Sequence, residues 1–130
     1  MPALLFDEGL PGARLAQALR ALGLEAEAVG ERGRDSPRRG GSDAENSAWC
    51  AERGAVLVTN DWGRKDPAIH AALASHKVGA VFIDRKLRAA EPADLAMALL
   101  RARTGIAELA AKRAPISHKL RPNGKLVRRG

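Results

Sequence analysis

The apolar positions of the chain fall into two alternating kinds of segment. Short continuous runs, Ala3–Phe6, Ala55–Thr59 and Val78–Ile83, read as strands buried on both faces. Each runs into an acid: Asp7-Glu8, Asn60-Asp61 and Asp84. Leu24–Val29 alternates apolar residues with Glu and reads as a strand nearer a sheet edge. Helical periodicities lie between. Pro11 opens one with Leu15, Leu19 and Leu22 on a single face, and Gly23 stops it. Ser42, three residues before Glu45, has the capping-box spacing and predicts a helix to about Arg53, with Gly54 as its stop. Asp66-Pro67 is an N-cap and N1 pair for a helix to about His76. An Ala- and Leu-rich segment predicts a helix over Pro92–Lys112, which Gly105 would interrupt. Glu31–Gly41, rich in Gly, Arg, Pro and Ser, has no period and predicts a mobile loop. The order β-α-β-α-β-α-β-α predicts an α/β fold with a mostly parallel central sheet and helices on both faces. Last, Ile116–Arg121 and Lys125–Arg129 flank Pro122-Asn123-Gly124, a strong hairpin signal.

Composition narrows the picture. A chain of 130 residues with 45% apolar residues supports one packed domain. No apolar run is long enough to span a bilayer. No basic stretch precedes the first acid, so a secretory signal is not expected and the cytoplasm is the default compartment. The single cysteine, Cys50, excludes an internal disulfide framework and a cysteine-rich zinc site. It reads as a small packed side chain rather than a nucleophile.

Charge changes the picture further. The net charge is +7, and from Lys112 onward there are seven Lys and Arg and no acid. The preceding 111 residues therefore balance to zero. Residues 1–111 are read as the α/β domain and 112–130 as a basic extension, a hairpin packed on the same domain. Its Lys119, Arg121, Lys125, Arg128 and Arg129 favour nucleic acid or an acidic partner, unless the tail is simply solvated. With only four aromatics, the chain lacks the stacking platform of sequence-tolerant single-strand binders.

Ligands of parallel α/β sheets bind at the carboxyl ends of the strands. If the strands before Asp7 and Asp61 are neighbours, these acids share one rim with Asp43, which opens the helix leading toward Asp61. Clustered carboxylates need a shared proton or a cation. Oxygen-only ligands point to Mg²⁺ or Mn²⁺, and one or two such ions activate water for in-line phosphodiester displacement. The structural alternative is that Asp43 and Asp66 serve helix termini and Asp84 a loop. Arg64 and Lys65 follow Asp61 and could meet substrate phosphate, or be surface charge. Arg38-Arg39-Gly40-Gly41 could hold phosphate or be a solvated loop. His70 and His76 occupy different helix faces and no ligand motif.

Two segments carry a resemblance. Leu5-Phe6-Asp7-Glu8-Gly9-Leu10-Pro11 is similar to the opening of the compact PIN-like nucleases. Asp43, the helical Ala48 and Ala51, and Val56-Leu57-Val58-Thr59-Asn60-Asp61 resemble a later segment of the same family. The match covers roughly residues 3–83. It implies a three-layer PIN-like fold, related to the VapC-type toxins of toxin–antitoxin pairs. It further implies a metal-dependent endoribonuclease with Asp7, Asp43 and Asp61 as catalytic and metal-binding acids and Mg²⁺ or Mn²⁺ as cofactor. Glu8 and Asp66 would be auxiliary metal ligands. RNA is the implied substrate, a cognate antitoxin protein the implied partner, and a homodimer is compatible with it. Two departures stand out. The larger toxins carry a further Glu between the first two acids, which Glu8 or Glu45 would have to replace. Gly63 and Arg64 stand where the family often has an acid and Phe. A catalytically degenerate PIN-like module, binding nucleic acid or a partner through the basic tail, is the alternative. A response-regulator receiver fits worse, because no Thr or Ser ends the Val78–Ile83 strand and no clear fifth strand ends in Lys. A haloacid dehalogenase would need an acid at Gly9.

Overall fold

The computed structural model describes residues 1–60, 67–87, 90–112 and 117–128. Among them are six strands: β1 (Leu4–Phe6), β2 (Ala26–Ala28), β3 (Val56–Asn60), β4 (Ala80–Ile83), β5 (Ser117–Leu120) and β6 (Leu126–Arg128). The helices are α1 (Gly12–Ala21), α2 (Asp43–Arg53), α3 (Pro67–His76), α4 (Pro92–Arg101) and α5 (Arg103–Lys112). All strands form one sheet in the order β2-β1-β3-β4-β5-β6. Every pairing is parallel except β5 with β6.

Strand side chains alternate between two cores, as the period of two requires. Leu4, Phe6, Val56, Val58, Val81, Ile83 and Leu120 face a core shared with α1, α4 and α5. Leu5, Leu57, Ala80 and Phe82 face the other, closed by Cys50 of α2 and by Ile69 and Leu73 of α3. The result is the three-layer α/β architecture. No helix among the described residues is long and apolar enough to cross a membrane.

Local signals explain most boundaries. The Ser42 hydroxyl accepts the Glu45 N–H at 3.1 Å and caps α2. Gly54 ends that helix in the left-handed conformation, φ 63°. Three features depart from expectation. The Pro92–Lys112 segment is two helices, broken at Ala102 rather than at Gly105. Gly105 instead permits a close approach, since a Cβ there would lie 2.8 Å from Leu126 Cδ1. A fifth parallel strand does exist, although it ends in Leu120 with Lys119 one residue earlier.

The third departure is the segment expected to be a mobile loop, which is fastened along its length. Arg20 holds Glu31, Arg34 holds Glu27, Arg38 holds Glu45 and Arg53 holds Asp35. Trp49 Nε1 donates to the Asp35 carbonyl at 3.1 Å, and the Arg53 guanidinium lies over the Trp49 ring. Its charges looked solvated in sequence because their partners sit on β2, α1 and α2.

Candidate active site

The sheet order reverses between β1 and β3, which places the topological switch point at their carboxyl ends. Asp7 stands there. Its backbone N–H continues the ladder onto the Val58 carbonyl at 3.0 Å. Its side chain is held from both sides. Oδ1 accepts the Glu8 N–H at 2.8 Å, and Oδ2 accepts the hydroxyl of buried Thr59 at 2.9 Å. Asn60, the last residue of β3, donates from Nδ2 to the Gly9 carbonyl at 2.6 Å. The close seat explains Gly9, where a Cβ would meet that amide at 2.6 Å.

Asp43 reaches the same rim by a different route. Helix α2 lies in the crossover from β2 to β3 and runs opposite to the strands, so its first residue lies at their carboxyl end. The Glu8 carboxylate accepts the Gly40 N–H and ties the approach to α2 onto the end of β1. Asp43 is half-buried in the first turn of α2. One turn further on, Asn46 is buried, and its Oδ1 has no hydrogen-bond partner among the described residues. Glu45 is turned to Arg38, which holds it bidentately with both N···O distances near 3 Å. That pairing keeps its carboxyl below the usual glutamate range, the Arg38 hydrogen bond being the main cause.

Asp61, Arg64, Lys65, Asp66 and Arg129 lie outside the described residues. Asp61 directly follows Asn60, the last residue of β3. The donor chemistry around Asp7, Asp43 and the Asn46 Oδ1 is all oxygen, which is what Mg²⁺ or Mn²⁺ takes. Among the described residues alone, no group of three or more His, Cys, Asp or Glu could hold a metal ion.

Of the basic residues of the last segment, Arg121 and Lys125 stand at this end of the sheet, whereas Arg128 pairs with His118 and lies toward the opposite end. β5 is parallel to β4, so its end and the following turn point the same way as the end of β1. Lys119 lies within β5 and Arg128 within β6, while Arg121 and Lys125 flank the turn, joined by a 3.0 Å backbone hydrogen bond. With strands about 4.8 Å apart, the end of β5 stands roughly 14 Å from that of β1. Asp84, at the end of β4, uses Oδ1 to accept the Lys86 N–H at 2.9 Å and starts a 3₁₀ turn.

Two other chemistry-bearing side chains, Cys50 and His70, have packing partners. Cys50 is fully buried, and desolvation pushes its thiol up to about 12, far from thiolate reactivity. His70 stacks on Phe82 with ring centroids 5.8 Å apart. Sequence reasoning missed Thr59 and Asn46. Thr59 was legible only as a strand residue, although its place before Asn60-Asp61 was the available signal. Asn46 gave the signal of an amide on the apolar face of a helix.

No curated protein and no solved structure matches the chain in comparisons with known proteins. A family model does. It describes a PIN-like domain, a class whose members are typically nucleases, and it covers residues 2–85, from before β1 to just past the end of β4. The matched span contains the switch point, Asp7, Asp43 and the end of β3, and with more than half of its length matched the chain belongs to the PIN-like domain family.

Proposed function

We propose that the protein is a metal-dependent endoribonuclease. The observation that carries this reading is the convergence of Asp7 and the α2 terminus bearing Asp43 on the β1/β3 switch point, where Asp61 follows β3. Asp7, Asp43 and Asp61 would hold Mg²⁺ or Mn²⁺. A bound ion supplies the positive charge that polarises a phosphodiester and the attacking water. The chain's own contribution is placement. Thr59 and the Glu8 amide fix both oxygens of Asp7, so the carboxylate needs little reorganisation. The cations at the end of β5 supply the attraction for RNA that an otherwise neutral domain lacks.

The finer reading is a toxin held in check by a cognate antitoxin protein. It is supported by the resemblance of Leu5–Pro11 and Val56–Asp61 to the compact PIN-like nucleases, a branch related to the VapC-type toxins.

The test is cleavage of RNA by the purified protein in Mn²⁺, beside Asp7→Asn and Asp61→Asn. Each substitution is expected to lower the rate about a hundredfold or more, with circular dichroism unchanged. Equal cleavage by all three proteins, or cleavage that survives a chelator, would overturn the assignment.

A further inference from the structure

A cleft of about 300 Å³ extends away from Asp7 and carries residues that the proposed reaction has not used. It opens between the start of α1 and the segment after β2. Asp7 and Glu8 form one wall, Glu31 lies on the lining with its charge taken up by Arg20, and Arg14 and Arg39 are the two lining cations. Its floor is small, with Gly12, Ala13, Ala28 and Gly30, and no aromatic side chain lines it. A base would find no stacking surface there. A phosphate would find two guanidinium groups.

The two arginines differ from their neighbours. Arg20, Arg34, Arg38 and Arg53 are each committed to a carboxylate. Arg14 and Arg39 make no ion pair among the described residues, and both are exposed to solvent.

Arg39 is also set in place. Gly30 has φ +76°, and a Cβ on it would stand 3.0 Å from Arg39 Cβ and 3.3 Å from Nε. The Arg39 stem therefore lies across the glycine. The Gly30 N–H donates to the Pro37 carbonyl at 2.8 Å, and the Gly40 N–H donates to Glu8. The residues on either side of Arg39 are thus tied down, Arg38 to Glu45 and Gly40 to Glu8.

We propose that this cleft is a backbone-phosphate subsite for single-stranded RNA, in which Arg14 and Arg39 clamp a phosphate next to the one that is cleaved. The proposal rests on the nuclease reading for its substrate. The cleft reads the backbone and not the base, so it sets affinity and register without sequence preference.

The experiment measures binding of a labelled single-stranded oligoribonucleotide by anisotropy, with a chelator present to prevent cleavage, over a salt series. Arg14→Ala/Arg39→Ala is compared with the parent protein and with Arg32→Ala, which removes an exposed arginine outside the cleft. The double variant is expected to bind about tenfold more weakly, with a log–log salt slope shallower by about 0.7 for one lost phosphate contact. Arg32→Ala should keep the parental slope. Arg39→Lys, which keeps the charge but not the planar fork, should fall between. In Mn²⁺ the double variant should raise KM and leave kcat within about twofold. A parental slope and affinity in the double variant would overturn the subsite while cleavage by the parent keeps the nuclease reading. A reduced slope without metal-dependent cleavage by any protein would keep the subsite and remove the nuclease reading.

Discussion

Asp7 illustrates how one side chain is given a fixed orientation by groups far away in sequence. Thr59 is fifty-two residues further on, yet its hydroxyl donates directly to the Asp7 carboxylate. Thr59→Val keeps the shape and removes that donor. It is expected to cost about 1 kcal/mol of stability, and to lower RNA cleavage about tenfold with KM little changed. Parallel urea titration and steady-state kinetics check this; unchanged kcat would show that the backbone alone positions Asp7. Asp7 was legible in the sequence because it ends an apolar run. The hydroxyl beside it was not, since a strand Thr normally signals only β-propensity. Cys50 was legible as inert, because a small apolar side chain on a helix needs no other account.

Among elements, the segment from Glu31 to Gly41 shows the widest gap between pattern and structure. It lacks periodicity, so hydrophobic patterning could not place it. Its order comes from charge pairs whose partners lie on other elements, and a sequence does not pair charges. Glu31 is the anchor nearest the sheet. Its carboxylate takes the Arg20 guanidinium and also the Ala28 N–H. The Arg20 hydrogen bond is the largest influence and lowers its pKa from the ordinary glutamate value, against the opposing effect of burial. A lowered carboxyl pKa stabilises the fold above the unfolded-state value, and that share is lost as pH falls through the folded-state value. The denaturation midpoint of Glu31→Gln should therefore lie below the parent's at neutral pH, and the two should converge under acid conditions below the ordinary carboxylate range. A gap that is independent of pH would show that the ion pair does not hold the segment. By contrast α2, with Ser42 and Gly54 at its ends, was fully legible, because caps are local chemistry.

For the whole molecule, the charge asymmetry takes a different form once the hairpin is seen in place. β5 is hydrogen-bonded along β4, and Leu120 is fully buried in the core of α1, α4 and α5. Removing residues 117–128 would uncover β4 and part of that core, so the truncated chain is expected to aggregate or lose its cooperative transition. Replacing Arg121 and Lys125 by Gln keeps the strands and removes two charges. This variant should melt within a few degrees of the parent and bind RNA with a shallower salt dependence. A soluble, cooperatively folding truncation would show instead that the first four strands suffice. The neutral-plus-basic division was readable from composition. That the basic part closes the sheet was not, because strand order is a long-range property.

The position of β5 also has a consequence for synthesis. β1 pairs on both sides with strands made soon after it, so the switch point can assemble once Asn60 has left the ribosome. β4 receives its second neighbour only when residues 117–120 emerge. Until then the nascent chain carries an open parallel edge of Ala80-Val81-Phe82-Ile83, an apolar template for unwanted pairing. Slow translation between α4 and β5 should therefore expose this chain to chaperone capture more than slow translation before β3.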